Sequence, residues 1–218
     1  LAKLHPDRAG DAGVENFRKA LRGHTSLVGR TVEAPAVRNL RCDVLVIGAG
    51  PAGLAAASAA LDAGATVIVC EREPVCGGEL EFETASVDGL PAQGWIEAVQ
   101  QQLAARGGQL LLETAVVSAA GQLFIAHRER GGRPGSATAF RIHAGAVVIA
   151  TGAVERPIAF VDNDRPGVML LGAAERWLAG YGVRVAERAV LFGNHDRLYA
   201  AARRLLAGGM RIAAIVDV

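Results

Sequence analysis

The chain has 218 residues, and its Lys+Arg count of 23 against Asp+Glu 22 leaves a net charge of +1, a balance that provides no electrostatic footprint for nucleic acid or an anionic membrane surface. Hydrophobic residues make up 51% and charged residues 21%, which suits a globular protein with a sizeable core, and no apolar run approaches the roughly 20 residues that cross a bilayer. Cys42, Cys70 and Cys76 are few, odd in number and outside any CxxC spacing, which argues against a disulfide framework, a zinc ribbon or a dithiol redox centre and makes a reduced, cytoplasmic setting the expectation. The chain begins with Leu1 and carries no signal-peptide pattern, so it reads as a piece of a longer protein.

Residues 1–40 read as an N-terminal extension, with a short helix over Asp11 to Arg22 and a linker from Gly23 to Asn39. The texture changes at Arg41. Asp43 to Ile47 is a β-branched run typical of a buried parallel strand, Pro51 to Ala63 an alanine-rich helix, and Thr66 to Val69 a second buried strand. Strand, helix and strand within about 30 residues make a βαβ unit. A helix is predicted over Trp95 to Arg106, closed by Gly107-Gly108, and a third parallel strand over Gln109 to Glu113. Ala115 to Ala119, Gln122 to His127 and Thr138 to His143 follow. Turn signals at Gly121 and Gly131 to Gly135 separate them into an antiparallel meander. Ala146 to Ala150 is a further buried strand. After Pro157 the pattern restarts: helix over Val168 to Ala179, strand over Ala189 to Phe192, helix over Asp196 to Leu206, strand over Ile212 to Val216.

The fold class expected is α/β: a Rossmann-like FAD/NAD(P)-binding domain with a parallel sheet and an antiparallel meander over residues 41–158. A partial second nucleotide-binding-type domain follows over 159–218. Two strands and a helix cannot bury both faces of a sheet, so this second unit is expected either to be truncated or to pack on something outside this sequence.

The chemistry-bearing motif is Gly48-Ala49-Gly50-Pro51-Ala52-Gly53, directly after a strand and opening a helix. In such a motif the first glycine makes the tight turn, the second lets a pyrophosphate approach the backbone, and the third lets helix and sheet lie close. The pyrophosphate then sits where free N–H groups and the positive end of the helix dipole favour an anion. An acid is required at the end of the second strand to accept ribose hydroxyls. Glu71, 18 residues past Gly53, is placed for it. Its charge disfavours a 2′-phosphate, an exclusion that Arg72 weakens slightly.

Further on, Cys76-Gly77-Gly78-Glu79-Leu80 follows Glu71 at short range, and Ala150-Thr151-Gly152 closes the strand after the meander. With the GAGPAG motif these resemble the two-dinucleotide-binding-domain flavoproteins, the pyridine nucleotide–disulfide oxidoreductase superfamily. That resemblance spans about residues 41–218. It implies that Gly77, Gly78, Glu79, Leu80, Ala115, Val116, Ala150, Thr151 and Gly152 join Gly48–Gly53, Glu71 and Arg72 around the cofactor, FAD or NAD. The stretch ATGAVERPIAFVDNDRPGVMLLGAAERWLAGYG, from Ala150 to Gly182, is more particular. It is similar to the α subunit of heterotetrameric sarcosine oxidase and its opine oxidase and hydrogen cyanide synthase relatives, as are RCDVLVIGAGPAGLAAA and AVLFGNHDRLYAAARRLLAGGMRIAAIVDV. This likeness implies an oxidoreductase acting on CH–NH donors. The small-molecule amine, sarcosine or an opine, would be oxidised on partner subunits of a hetero-oligomer. The turn Gly193-Asn194-His195-Asp196 departs from the glycine pattern, which puts a second nucleotide site in doubt.

Two other functions fit the residues: a stand-alone NAD(P)H-dependent flavoprotein reductase, and a non-catalytic dinucleotide-binding scaffold subunit. No general base is assigned. The three cysteines read as packing residues. His195-Asp196 reads as a turn with Asp196 as helix N-cap rather than a catalytic dyad. Glu155-Arg156 reads as a local ion pair, Asp162 to Arg165 as a polar turn that binds no metal, and Trp177 with Tyr181 as a packing pair on a helix.

Overall fold

The computed structural model describes residues 36–82, 86–129 and 137–218. The helix expected over Asp11 to Arg22, most of the linker and the turn at Gly131 to Gly135 lie outside them. In chain order the elements are β1 (Ala36–Ile47), α1 (Pro51–Asp62), β2 (Val67–Cys70), a 3-10 turn (Gly78–Phe82), β3 (Ser86–Val87), β4 (Leu90–Pro91), α2 (Ala92–Ala105), β5 (Gln109–Leu111), β6 (Thr114–Ala120), β7 (Leu123–Glu129) and β8 (Ala137–Ile149). Then come α3 (Leu171–Tyr181), β9 (Arg188–Gly193), α4 (Arg197–Ala207) and β10 (Arg211–Asp217).

Six strands form one sheet in the order β5-β2-β1-β8-β7-β6. β5, β2, β1 and β8 run parallel, and β8, β7 and β6 form the expected antiparallel meander. All four residues of β2 are buried, as a central parallel strand covered on both faces requires. On one face lie α1 and α2. Gly53, Leu54, Ala57 and Leu61 of α1 point inward at helical spacing and pack with Val46, Val67, Val69, Ile96, Val99 and Leu103. Leu54 is fully buried, a contribution of about 2 kcal/mol. The other face holds Cys42, Leu45, Ile68, Leu111, Phe124, Phe140 and Ile142. This face is closed because the sheet curls. β5 and β6 are opposite edges of the sheet, yet Leu112 and Glu113 alone join them, so the edges must approach each other. The amide of Thr114 accordingly donates to the Glu71 carbonyl at 2.7 Å, and Glu113 turns the chain with a φ of 52°.

Two expectations are corrected. The linker assigned to Gly23 through Asn39 ends in strand, because β1 already begins at Ala36. The strands expected at Thr138 to His143 and Ala146 to Ala150 are one strand, β8, running through Gly145. The physical reason is an irregularity that the two long strands share. The successive amides of Asp43 and Val44 both donate to the Thr66 carbonyl, at 3.0 and 3.1 Å. Opposite, a Cβ on Gly145 would lie 3.0 Å from the Asp43 carbonyl oxygen. Before this point Phe140, Ile142 and Ala144 face the meander-side core. After it Val148, also even-numbered, packs toward α1 and α2. The inward face switches without the strand breaking, which in the sequence looks like two strands.

The second unit has its own small core of Ala174, Leu191, Leu198, Ala202, Leu205 and Met210. β9 and β10 pair in parallel with α4 on one face. Val190, Phe192 and Val216 stay exposed, as expected of two strands and a helix.

Candidate dinucleotide site

The glycine loop is shaped by what its own atoms leave no room for. Gly48 has a φ of +101°, and a Cβ there would meet the Ala150 carbonyl oxygen at 2.3 Å. A Cβ on Gly53 would lie 1.9 Å from the Gly48 carbonyl oxygen. Both positions exclude any side chain. Gly50 differs: nothing lies within 4 Å of where its Cβ would be. Packing does not require glycine there, and the open space sits over the start of α1. That helix has Gly50 as N-cap, Pro51 in its first turn, no side-chain cap and no acid in that turn. Its leading N–H groups therefore have no side-chain cap and carry the positive end of the helix dipole.

Glu71 stands beside this loop, as expected. Its Oε2 accepts the Ala49 N–H at 2.6 Å and its Oε1 the Glu73 N–H at 2.9 Å. Each carboxylate oxygen keeps a further lone pair for a ribose hydroxyl, and the acid also fixes the loop's geometry. The strand ladder continues into the site through the Gly48 amide on the Cys70 carbonyl at 2.8 Å and the Ala150 amide on Ile47 at 2.8 Å. Gly77 donates to the Ala49 carbonyl at 2.8 Å, and a Cβ on Gly78 would come within 3.3 Å of the Gly50 Cα. Leu80 closes the turn on Gly77 at 3.0 Å. Ala115 and Val116 reach the same end of the sheet, because the preceding Thr114 is bonded to Glu71. Thr151 and Gly152 follow Ala150 and are exposed. Arg72 points outward and pairs with Glu73 at 3.2 Å. The acid, the open glycine and the uncapped helix together fit the ADP half of a dinucleotide.

Residues 42–212 match the family described as pyridine nucleotide-disulphide oxidoreductase. The chain belongs to this family. Within it, the chain is 39% identical over 185 residues to the alpha subunit of sarcosine oxidase from Rhizobium meliloti, covering 81% of this chain and 19% of the relative. It is 35% identical over 188 residues to an opine oxidase subunit from Agrobacterium tumefaciens, covering 80% of this chain and 36% of the relative. The chain thus spans about a fifth of the length of the sarcosine oxidase subunits that it matches. Among solved structures, L-proline dehydrogenase from P. horikoshii superimposes with a TM-score of 0.68 at 25% identity, over 85% of this chain and 37% of that one. The described residues have the fold of the FAD/NAD-binding Rossmann-type oxidoreductases.

The second unit of this pyridine nucleotide-disulphide oxidoreductase fold is built differently at its turn. Gly193 pairs with Asp217 at the end of β10. One residue past the pair Ile47 and Cys70 stand Gly48 and Glu71, so Asp217 takes the place of the first unit's acid. Its Oδ2 accepts the Tyr199 hydroxyl at 3.1 Å, a bond that raises the Tyr199 pKa. The Leu198 side chain lies 3.1 Å from where a Gly193 Cβ would be and is buried. No glycine occupies positions 194 to 198.

Several expectations are refined here. Asp196 is the residue before α4, as expected, but it has αR backbone and its side chain makes no cap bond. Its carboxylate is therefore not the cap. Glu155 does not settle into the local pair expected with Arg156. Its two oxygens accept the Leu171 and Gly172 amides at 3.0 and 2.8 Å, capping α3 from sixteen residues away. That partnership is legible only in three dimensions. Asp162 to Arg165 is a turn held by an ion pair at 3.0 Å. The Trp177 and Tyr181 rings do pack, with centroids 5.3 Å apart, but on an exposed face.

Cys42, Cys70 and Cys76 are buried. Burial pushes the Cys70 thiol up to about 12 and the Cys76 thiol up to about 11, which makes both poor nucleophiles at neutral pH. Among the described residues no cluster of His, Cys, Asp and Glu is placed to hold a metal ion, and no helix is long and apolar enough to cross a membrane.

Thr114 and Arg197 carried no motif signal. Thr114 is buried, donates to the Leu112 carbonyl at 2.8 Å and accepts Arg128 Nε at 2.9 Å, locking β6 beside Glu71. Arg197 reaches from α4 to Glu79.

Proposed function

We propose that this chain is the dinucleotide-holding part of an amine-oxidising enzyme akin to sarcosine oxidase. The open Gly50 above an uncapped helix start, with Glu71 beside it, carries this reading. Gly48 to Gly53 would receive the pyrophosphate on backbone N–H groups, Glu71 the ribose hydroxyls, and Ala115 and Val116 the adenine side. Gly77, Gly78, Leu80, Ala150, Thr151 and Gly152 would wall the site toward the rest of the cofactor. Arg72 lies at its solvent edge. FAD and NAD share this ADP half, so either is accommodated by these residues.

When bound, such a dinucleotide supplies hydride-transfer chemistry. The chain's own residues bind and orient it, and Glu71 disfavours a 2′-phosphate by like charge. A secondary or N-substituted amine such as sarcosine or an opine is the substrate class, and a hetero-oligomer with the amine-oxidising site on partner subunits is the expected assembly in the cytoplasm. The likeness to named oxidase subunits supports the substrate class and the assembly. Residues 41–158 and 159–218 are proposed as two domains. The small core drawn wholly from residues beyond 170 supports that division.

The test is the visible spectrum and the released nucleotide of the full-length polypeptide, followed by titration with FAD and with NAD. Retention or uptake of either supports the reading. Protein that holds neither and binds neither sinks it. A stand-alone NAD(P)H-dependent reductase would need the second unit to take a nucleotide, and the Leu198 and Tyr199 side chains weigh against that.

A further inference from the structure

Arg197 belongs to the second unit by position but serves the first by contact. It stands four residues after Gly193, as Ala52 stands four after Gly48. Its Nη1 donates to Glu79 Oε1 of the 3-10 turn, and its Nη2 donates to Glu175 Oε2 on α3 at 3.2 Å. Glu175 is only 7% exposed and also accepts Arg204 Nε at 2.7 Å. The guanidinium is thus anchored on a buried acid and reaches an exposed one. Alongside, the Glu155 carboxylate and the Arg197 guanidinium flank Gly172, with Oε2 3.0 Å and Nη2 3.9 Å from the place of its Cβ.

Both segments that wall the glycine loop therefore end on the second unit. Gly77-Gly78-Glu79 ends on Arg197, and Ala150 to Glu155 ends on the first turn of α3. Gly77 and Gly78 have φ values of +111° and +54°, a pair of left-handed conformations with many alternatives in a free chain. A tether at the next residue removes that freedom.

We propose that Arg197 is a positioning residue for the dinucleotide site: by holding Glu79 it keeps the Gly77-Gly78 pair against the glycine loop. This rests on the reading that the loop binds a dinucleotide. Without the tether, the loop must be ordered at the moment of binding, and that entropic cost lowers affinity. An exposed ion pair alone contributes little. Here Glu175 fixes the guanidinium from behind, so the arginine is already in place. The second unit then acts as a charged clamp on the first site rather than as a nucleotide site itself.

The experiment is calorimetric titration of NAD and of FAD into the full-length polypeptide. The variants are wild type, Arg197→Ala, Glu79→Ala, the double variant and Arg204→Ala. Arg197→Ala and Glu79→Ala are each expected to weaken binding about tenfold, and the double variant no further than either single. Arg204→Ala, which removes another partner of Glu175 without touching the loop, is expected to lower the melting temperature but bind like wild type. Glu79 is 66% exposed in its side chain, so Glu79→Ala reports on binding even if Arg197→Ala folds poorly. Wild-type affinity in Glu79→Ala, additive losses in the double variant, or an equal loss in Arg204→Ala would each overturn the proposal. If wild type binds neither nucleotide, the dinucleotide reading fails and this proposal fails with it. If wild type binds and the single variants bind equally well, only the role of Arg197 is lost.

Discussion

The two βαβ units run the same course of strand, glycine turn, helix, strand and terminal acid, yet they leave opposite things at the turn. In the first, glycines at 48 and 53 bring backbone against backbone, and Gly50 leaves a space that no protein atom fills. In the second, Leu198 fills the space over Gly193 and Tyr199 occupies the acid. A Rossmann-like fold by itself is therefore not a binding site. The proposed site is the gap that particular residues decline to fill, with an acid left able to accept hydrogen bonds. The second unit has a charge at its turn instead, Arg197, and turns it toward the first.

Substitutions at the two turns break this comparison if it is wrong. The largest effect is expected at Gly53. An added methyl group would meet the Gly48 carbonyl oxygen at 1.9 Å, so Gly53→Ala should lose about 3 kcal/mol or more in a denaturant melt. A near-neutral melt would mean that the loop is not packed as described. Gly50→Glu separates folding from binding. With open space around it, stability should stay within about 0.5 kcal/mol of wild type. Dinucleotide affinity should fall more than a hundredfold, since like charges about 4 Å apart at an effective dielectric of about 20 repel by about 4 kcal/mol. Tight binding by this variant would remove Gly50 from the site. Glu71→Gln keeps an acceptor for the Ala49 amide but loses the charge, and a drop in affinity of about tenfold is expected. An unchanged isotherm would show that no ribose lies there.

The second turn should answer differently. Gly193→Ala presses a methyl group on Leu198 at 3.1 Å. It should cost about 1 kcal/mol of stability and leave NAD and FAD titrations unchanged. Reduced affinity would mean that the second turn takes part in binding. The smallest effect concerns Tyr199. Its hydroxyl donates to Asp217, which raises its pKa above the ordinary 10. The folded value exceeds the unfolded one, so this bond's contribution is complete below about pH 10 and fades as pH climbs through the raised value. Asp217→Asn should bring one phenol down in a tyrosinate absorbance titration while leaving nucleotide binding alone. Coincident titrations in the two proteins would show that the bond does not form in solution.

The first unit was legible because its determinants are local. β-branched runs, glycine spacing and an acid at fixed distance all lie within Cys42 to Glu71, and steric exclusion by a neighbouring backbone demands glycine whatever surrounds the unit. The family likeness was legible for a related reason: long segments around Thr151 and Asp162 are similar to those of oxidase subunits. What was read wrongly lay where two distant segments meet. β8 looked like two strands because its inward face switches at Gly145, opposite the point in β1, a hundred residues earlier in the chain, where the Asp43 and Val44 amides share the Thr66 carbonyl. Glu155 looked like the partner of Arg156 because no local pattern announces a helix start sixteen residues on.

By itself, then, the sequence determined the parallel sheet, the meander, the glycine loop and its acid, since period, turn chemistry and sterics act over a few residues. Only the tertiary structure decided which residues brace that loop. Thr114 beside Glu71, Glu155 on α3 and Arg197 on Glu79 are contacts between ends of elements, set by how the sheet curls and where the second unit lies. Hydrogen bonds and ion pairs reach only a few ångströms, so their partners are fixed by that placement and not by spacing along the chain.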